Sequence, residues 1–466
     1  MSLRINRQRL ARSDRKADYQ SSSPVLLHPY DTPACIFQHK SLAAHIRKNG
    51  QGTTVLMKPI KFTDSAMKSQ LQDLTYESFA DLTRGILDLC QGDVIFATGV
   101  IDSFMSSCQS DVFFGHFVIP ASFIELIHAT KAQADDLILD HSSLVLADGA
   151  YMINRALISS ALSAGKKVNI FNPDGDWLEF TSQHGENHRD YHRYLKNLSP
   201  YEYKTALDEA NAYLDARFTG KQTDLDSPGV FSERVKSIDA NPRKVLFLHV
   251  FRDANQVPLD QEQNHQSLFS TYFEWADFCL QEMAKKPDEW LVKLHPSSKF
   301  YGDEIKIQLR LLRKHGFSMD LVDSCPTTAQ ILQNRWPIFT HSGTVALESA
   351  VFGYRTHVCS RRHPEQLVHL AKSKEQLIEQ LNKPPSVAQD SLDTVENETA
   401  RLLLHWFFKH DLPLLAPKNP QPDRRSPLKF NTSLVAQEFS LMGRYLRPSV
   451  QAQLQRMAMQ VNSNLK

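Results

Sequence analysis

Two short polar stretches in the second half of the chain carry residue types that suit the binding of a phosphate group. His295, which a proline follows, comes directly after the apolar run 290–294, and that run predicts a buried strand. The run 336–340 predicts another strand, and the segment 342–344, Ser-Gly-Thr, follows it at the predicted start of a helix. Because ligands of open α/β sheets bind beside the carboxyl ends of strands, these stretches predict a site for a nucleotide diphosphate or a nucleotide-sugar.

The residues at the predicted helix start can supply hydroxyl and backbone N–H groups to a phosphate. Ser342 and Thr344 each carry a hydroxyl, and N–H groups in the first turn of a helix have no partner inside the helix. Gly343 has no side chain, which allows the backbone to approach the phosphate closely. Glu348 lies one turn further along, where a carboxylate can accept hydrogen bonds from both hydroxyls of a ribose.

The end of the first strand adds two side chains that can donate to a phosphate. Lys293 and His295 lie two residues apart, and the alternation of side chains along a strand places both on the same side. His295 can donate to a phosphate oxygen and stabilise the charge that develops on a departing nucleotide.

A predicted alternation of strands and helices provides the frame for these residues. In the second half we predict strands at 244–250, 290–294, 317–322, 336–340 and 355–359, and helices at 266–285, 303–315, 327–333, 345–350, through 370, and at 373–381. Short loops join them, which predicts a Rossmann-like, doubly wound domain. A further helix is predicted at 391–408 and a last one at 433–459.

The first half is predicted to be α/β as well. We predict strands at 53–57, 93–97, 113–119, 143–147 and 168–171, and helices at 65–89, 121–131 and 152–164. Gly165 suits the C-terminal cap of the last helix, so 143–171 is a predicted βαβ unit of a parallel sheet. Asp148 follows the strand of this unit, where a functional carboxylate and a helix-capping aspartate both fit the pattern.

The length of the chain indicates more than one domain. At 466 residues, it exceeds the size of an ordinary single hydrophobic core. The polar stretch 219–242 contains proline and glycine and predicts the linker between two domains. We therefore predict a basic and polar segment, an N-terminal α/β domain, a C-terminal Rossmann-like domain and a helical region, at 1–50, 51–240, 243–385 and 386–466.

Composition argues against several classes of function. The 53 Lys and Arg balance 52 Asp and Glu, so the overall charge does not predict a nucleic-acid partner. The six cysteines form no Cys-x-x-Cys pair and several lie in apolar runs, which predicts reduced thiols in a cytoplasmic protein. No apolar run is long enough to cross a bilayer, and no apolar stretch of a secretory signal follows the N-terminal arginines. Those arginines fit either a solvated tail or a weak electrostatic contact with an anionic membrane surface.

Three histidines could share one face of a helix, at His184, His188 and His192. A zinc site can use that spacing, but arginines lie beside the histidines and no cysteine is close. A solvated or acceptor-facing helix is therefore the preferred interpretation, and no metal site is predicted.

Three motifs of the second half resemble a known family. They are 249–255 (His-Val-Phe-Arg-Asp-Ala-Asn), 290–297 (Trp-Leu-Val-Lys-Leu-His-Pro-Ser) and 341–348 (His-Ser-Gly-Thr-Val-Ala-Leu-Glu). The series resembles the C-terminal domain of GT-B glycosyltransferases of bacterial capsule and surface-polysaccharide biosynthesis, which are related to capsule Kdo transferases and, more distantly, to sialyltransferases with His-Pro motifs. The match covers 244–380, and 148–155 is similar to a segment of the N-terminal domain of that group. The chain departs from the family at Leu294, where proline is more usual.

The resemblance implies a fold and a role for each motif residue. It implies two Rossmann-like domains that face a central cleft, with a donor-binding C-terminal half, an acceptor-binding N-terminal half and no bound metal or other cofactor. Asp148 and His295 would be catalytic, with Asp148 as the base or nucleophile. Tyr151, Asn154 and Arg155 would contact the acceptor. The donor would be held by His249, Asp253, Lys293, His295, Ser342, Gly343, Thr344 and Glu348.

The expected substrates are a CMP-, UDP- or GDP-linked sugar and a glycan or lipid-linked acceptor at the inner membrane surface, with other capsule-assembly proteins as partners. Two alternatives remain open. A transferase of polyol phosphate from a CDP-activated donor would share the phosphate-holding loops, and similar His-Pro patterns occur in teichoic-acid glycerophosphotransferases and nucleotide-sugar 2-epimerases. A non-catalytic assembly partner would retain the fold but would have no reason to keep Asp148, His295 and Glu348 facing one cleft.

Overall fold

The chain folds into two compact α/β units. The computed structural model describes residues 25–28, 53–55, 72–108, 110–146, 151–171, 177–180, 195, 198–218, 242–252, 268–361, 363–388 and 391–408. The first unit comprises Met1–Arg189 with Leu414–Lys466, and the second comprises Asp190–Pro413. The division therefore falls near residue 190, before the predicted linker, because a helix at Pro200–Phe218 packs within the second unit. The predicted linker 219–242 lies almost entirely outside the described residues, as do His184, His188 and His192.

The first unit is built on a five-stranded sheet. Its strands are β1 (Val25–His28), β2 (Thr53–Val55), β5 (Ser143–Leu146), β6 (Lys167–Phe171) and β7 (Trp177–Phe180), with a separate antiparallel pair β3 (Leu74–Tyr76) and β4 (Phe117–Ile119). Its helices are α1 (Phe79–Leu89), α2 (Val94–Ser107), α3 (Ala121–Leu139) and α4 (Met152–Ser163), with a 3₁₀ turn at Ser110–Phe114. The sheet order is β2-β1-β5-β6-β7, parallel except for β7.

The predicted βαβ unit of this sheet is present as β5, α4 and β6. β5 and β6 are parallel, with Ser143 opposite Lys167, and the three apolar residues of β5 are completely buried. Gly165 has a φ of 67°, the left-handed conformation that ends a helix without strain at glycine. Of the helix predicted at 65–89, the described residues start at 72; they contain β3 and then the helix Phe79–Leu89, with Ser78 as its cap.

The prediction of a strand at 93–97 was wrong, because this run forms the start of α2. Asp93 caps the helix, and its Oδ1 accepts a hydrogen bond from the N–H of Phe96 at 3.0 Å. Every residue from Phe96 to Met105 is buried. A helix that is enclosed on all sides shows no amphipathic period, so its sequence cannot be told from a buried strand by periodicity.

Gly99 allows α2 and α4 to cross closely. A Cβ atom at this position would lie 2.4 Å from Arg155 Cβ and 2.6 Å from the carbonyl oxygen of Tyr151. We expect Gly99→Ala to lower the free energy of unfolding of the first unit by about 1–3 kcal/mol, because the helices must move apart. Ser106→Ala, half-buried on the same helix, is the control, with an expected change within about 0.5 kcal/mol. Urea unfolding that gives Gly99→Ala the stability of the wild type would contradict the close crossing.

The second unit contains a five-stranded parallel sheet. Its strands are β8 (Lys244–Phe247), β9 (Trp290–Lys293), β10 (Ile338–Thr340), β11 (Thr356–Val358) and β12 (Val368–Leu370). Its helices are α5 (Pro200–Phe218), α6 (Tyr272–Met283), α7 (Glu304–Lys314), α8 (Asp320–Asp323), α9 (Thr328–Gln333), α10 (Val345–Val351), α11 (Lys374–Asn382) and α12 (Thr394–Phe408), with 3₁₀ turns at Pro287–Glu289, Pro296–Phe300 and Glu365–Leu367.

The strand order of this sheet is β12-β11-β10-β8-β9, and every pair is parallel. The first strand of the unit, β8, therefore lies between the second, β9, and the third, β10. Chain connections leave β8 and β10 in opposite directions across the sheet, which makes the carboxyl ends of these two strands a topological switch point.

Two predicted elements of the second unit were wrong. The strand predicted at 317–322 is absent, and α8 occupies part of it. The Ser318 hydroxyl accepts from the N–H of Asp320 at 3.3 Å, a local turn that competes with sheet pairing. The helix predicted through 370 is instead the short strand β12, where His369 stacks on His357 of β11 with ring centroids 4.9 Å apart.

A pair of helices covers one end of the second sheet. α12 lies within the predicted helix 391–408 and packs against α5 and α10 around a buried apolar cluster. The later helix predicted at 433–459 lies outside the described residues. Among the residues that the structure describes, no helix combines the length and apolar character that a membrane crossing requires.

Candidate functional site

The polar residues that follow β8, β9 and β10 converge at the switch point of the second sheet. We name the segments the β8 loop (248–252), the β9 loop (294–298) and the β10 loop (341–344). Each contains one histidine, namely His249, His295 and His341. The ring centroid of His249 lies 6.4 Å from that of His295 and 6.0 Å from that of His341. The three loops therefore form one cluster at the edge of the sheet where an open α/β fold binds ligands.

His249 joins the β8 loop to the β10 loop. Its buried ring places Nε2 3.3 Å from the backbone N of Ser342, which donates to it, and 3.1 Å from Thr340 Oγ1. A ring nitrogen that accepts an N–H bond carries no proton, so the neutral ring carries its proton on Nδ1. Tyr272, the first residue of α6, stacks on the ring with centroids 4.3 Å apart. His249 is thus held in one orientation by contacts within the protein.

His295 presents the opposite nitrogen. Its Nδ1 accepts a hydrogen bond from the N–H of Ser297 at 3.2 Å and so caps the 3₁₀ turn that follows. The neutral ring must then carry its proton on Nε2. The side chain is half-buried and lies nearly parallel to His249, at 19°. This arrangement orients an N–H donor that could meet a phosphate oxygen.

The backbone of the β10 loop differs from the sequence prediction. The N–H of Ser342 donates to His249, and the N–H of Gly343 donates to Thr340 Oγ1 at 3.2 Å. Neither N–H is therefore available as the unpartnered phosphate donor that was predicted. α10 is also only seven residues long, which limits the helix dipole. Two residues of the loop carry hydroxyls: that of Ser342 is buried and lies 3.2 Å from Nδ1 of His341, and Thr344 is half-buried.

Gly343 fits its position because the loop is tight. A Cβ atom there would lie 2.8 Å from Thr340 Oγ1, the atom that accepts from the N–H of Gly343. A larger residue would push the Thr340 hydroxyl away from both of its partners. The glycine is therefore required by packing of the loop, which is a different reason from the close approach of a phosphate.

Two other predicted donor residues point into the protein. Glu348 is completely buried on α10, every residue of which is buried. A ribose could reach this carboxylate only after the surrounding side chains move. Lys293 is half-buried at the end of β9 and donates from Nζ to the carbonyl oxygen of Pro326 at 3.0 Å. Its position therefore gives it a partner other than a phosphate, and Asp253 lies outside the described residues.

The loop after β11 contributes a residue that the sequence analysis missed. His363 is 2 % exposed, and its Nε2 lies 3.2 Å from the carbonyl oxygens of both Ser342 and Gly343. The signal for it was a second His-Pro dipeptide, His363-Pro364, in the loop that follows the predicted strand 355–359. The first such dipeptide is His295-Pro296.

Buried polar side chains of α7 hydrogen-bond to the β8 and β9 loops. Nε2 of Gln308 on α7 lies 2.9 Å from the carbonyl oxygen of His249, 3.1 Å from Ser298 Oγ and 2.9 Å from Glu304 Oε1, and its two hydrogens are shared among these three acceptors. Glu304 also accepts from the N–H of Phe251 at 2.6 Å. Both loops are thus tied to the first turns of one helix, which fixes the positions of their histidines.

Glu304 gives this network a dependence on pH. Burial raises the pKa of Glu304 from 4.5 to about 7, against the lowering effects of the Phe251 N–H and the charge of Arg252. The fold therefore favours the protonated carboxyl. Its stabilising contribution is complete below pH 4.5 and is lost as the pH rises through about 7.

We expect Glu304→Gln, which cannot ionise, to remove the loss of stability that Glu304 causes as the pH rises. Between pH 4.5 and 8 the free energy of unfolding of the variant relative to wild type should rise by on the order of 3 kcal/mol. Urea unfolding at several pH values measures the difference. Glu379→Gln is the control, because the Glu379 side chain is 72 % exposed, and it should keep the wild-type pH profile. Parallel profiles for Glu304→Gln and wild type would contradict the raised pKa.

The predicted acceptor residues belong to the first unit. Tyr151 has a φ of 64°, a strained value for a residue with a side chain, and precedes α4. Asn154 is half-buried, whereas Arg155 is only 6 % exposed and its Cβ and Cγ face Gly99. Arg155 is thus a packing residue of the crossing between α2 and α4. Asp148 lies outside the described residues.

Within the described ranges, no group of three or more His, Cys, Asp or Glu side chains is arranged to hold a metal ion. A scan against protein-family models and searches of curated proteins and of solved structures find no match for this chain. The chemistry of the site must therefore be inferred from its own residues.

Proposed function

We propose that this protein is a glycosyltransferase that takes a sugar from a nucleotide-activated donor, with the phosphates of the donor at the switch point of the second unit. One observation carries the proposal. His249, His295 and Ser342, chosen from separate sequence motifs, meet at the sheet edge where α/β folds bind nucleotides. In finer terms, we propose a GT-B enzyme that acts in the cytoplasm on a capsular or other surface glycan.

In this proposal His295 stabilises the leaving nucleotide. An acceptor hydroxyl attacks the anomeric carbon of the donor sugar, the bond from that carbon to the phosphate oxygen breaks, and the nucleotide leaves with the electron pair. The proton of the acceptor hydroxyl passes to solvent. The Nε2–H of His295 donates to that oxygen as its negative charge grows. The hydrogen bond from Ser297 N–H to Nδ1 of His295 already orients the imidazole ring. The ring therefore needs no reorganisation during the step.

His249 and Gln308 position the β10 loop and the β8 loop. The ring of His249 fixes the backbone of Ser342, and Gln308 fixes the backbone of His249. The hydroxyls of Ser342 and Thr344 would then donate to further phosphate oxygens. Asp148, the predicted base, is assigned no step because it lies outside the described residues.

A thermal-shift panel of CMP, CDP, UDP, GDP, their sugar conjugates and CDP-glycerol tests the proposal. A ligand that binds only the folded protein stabilises it by about 2.7 kcal/mol at a concentration one hundred times its Kd. We expect nucleotides of one base, cytosine, uracil or guanine, to raise the melting temperature of the protein. The sugar conjugate of that nucleotide should raise it further. Stabilisation by CMP and its sugars alone would indicate a Kdo- or sialic-type donor, whereas a preference for CDP-polyols would favour the polyol-phosphate transferase. No stabilisation by any nucleotide at millimolar concentration would contradict a nucleotide site.

A further inference from the structure

The peptide groups of Ser342 are held from two sides. Its N–H donates to Nε2 of His249 at 3.3 Å. Its carbonyl oxygen, and that of Gly343, each lie 3.2 Å from Nε2 of His363. His249 follows β8 and His363 follows β11, so two strand-end loops hold the β10 loop, which lies between them.

The His363 ring can play only one part in these contacts. Carbonyl oxygens accept hydrogen bonds, so Nε2 must carry a proton and donate it to both. His249 acts in the opposite sense, because its Nε2 accepts. Pro364, with a φ of −55°, follows His363 and begins the 3₁₀ turn Glu365–Leu367. The rigid proline and the burial of the ring restrict the directions in which His363 can donate.

We propose that His363 is a positioning residue of the nucleotide site, and this proposal rests on the proposed function of that site. By holding the carbonyl groups of Ser342 and Gly343, it fixes the direction of the Ser342 hydroxyl. That hydroxyl lies 3.2 Å from Nδ1 of His341, within the cluster of loop histidines. Loss of the His363 donor would therefore release the hydroxyls of the β10 loop from a single arrangement.

Two substitutions separate positioning from packing. His363→Phe keeps an aromatic ring of similar size but has no N–H to donate. His363→Gln has an amide nitrogen that can occupy the place of Nε2 and donate to the same carbonyl oxygens. A residue that only fills space should tolerate Phe at least as well as Gln, whereas a positioning donor should be rescued by Gln alone.

Two measurements on the full chain decide the matter. The first is hydrogen exchange of the peptide that covers 341–346, compared with peptides from β8 and α12. The second is the Kd of the nucleotide that the thermal-shift panel selects. For His363→Phe we expect exchange in 341–346 and the Kd each to rise roughly tenfold, the effect of one lost hydrogen bond. His363→Gln should return both to within roughly threefold of wild type.

Each outcome has a definite meaning. Wild-type exchange in 341–346 for His363→Phe would overturn the proposal, as would faster exchange spread evenly over the second unit. If wild type binds no nucleotide, the proposed function fails, and the exchange comparison still decides whether His363 positions the loop. If His363→Phe does not fold, His363→Asn replaces it, because its shorter amide cannot reach the two carbonyl oxygens. Asparagine should then show the faster local exchange that glutamine does not, and equal exchange in the two would overturn the proposal.

Discussion

His295→Ala is expected to lower the rate of sugar transfer by roughly 100- to 1,000-fold, the usual cost of removing one oriented donor to a developing negative charge. The ring presents an N–H at Nε2 because its Nδ1 is occupied by the N–H of Ser297. Nucleotide affinity should fall less, with a Kd about ten to a hundred times higher, since a hydrogen bond to a charged group contributes about 1.5–3 kcal/mol. Turnover with the selected donor and calorimetric titration of its nucleotide measure the two effects.

His295→Asn is the matched control for this prediction. Its side-chain oxygen can still accept from the N–H of Ser297, because asparagine is a good cap. It is too short to place a donor where Nε2 lies. We therefore expect wild-type stability with the same loss of transfer as His295→Ala. Wild-type transfer by either variant would remove His295 from the chemistry.

Lys244→Ala is expected to destabilise the second unit by about 3–5 kcal/mol, the typical cost of removing one partner from a buried ion pair. Lys244 is 1 % exposed at the start of β8 and its Nζ lies 2.8 Å from Glu289 Oε2. The same Nζ donates to the carbonyl oxygens of Leu381 and Lys383, at 2.7 and 3.0 Å, and lies over the ring of Trp290. Burial lowers the pKa of Lys244, and Glu289 opposes that effect. Truncation would leave the buried carbonyl oxygen of Leu381 and the half-buried carboxylate of Glu289 without this donor.

Urea unfolding followed by tryptophan fluorescence measures this loss, since Trp275 and Trp290 are buried in the same unit. Lys285→Ala is the control, because Lys285 is 57 % exposed and its ion pair with Glu282 lies at the surface. Such a pair contributes about 0–1 kcal/mol. A loss for Lys244→Ala no greater than that of Lys285→Ala would show that the buried amine does not hold β8 to the segment after α11.

The sequence predicted most elements of the second unit, including the helices α6, α7, α9, α10, α11 and α12, but not the edge strand β12 or the short helix α8. Short apolar runs marked β8, β9, β10 and β11, each of which forms a parallel strand. β12 has only three residues, and what makes it a strand is its pairing with β11, a contact that local pattern does not reveal. α2 was missed for a related reason, since a completely buried helix has no polar face to mark its period.

Within the candidate site, the sequence predicted proximity but not hydrogen-bond partners. The rule that parallel strands end at one edge was enough to bring His249, His295 and Ser342 together. It could not show that the N–H groups of the β10 loop are occupied, because their partner Thr340 Oγ1 and the ring of His249 depend on side-chain orientation. The sequence also placed Glu348 at the ribose by its distance along a helix. Packing decides which face of α10 is open to a ligand, and every residue of α10 is buried.

A bound nucleotide is expected to lie beside the β8, β9 and β10 loops. Hydrogen exchange of the full chain, with and without a saturating amount of the nucleotide that the panel selects, tests it most directly. We predict slower exchange in peptides that cover 248–252, 294–298 and 341–346, and unchanged exchange in α5 and α12. Protection that spares all three loops, or that lies only in the first unit, would contradict a nucleotide site at these loops.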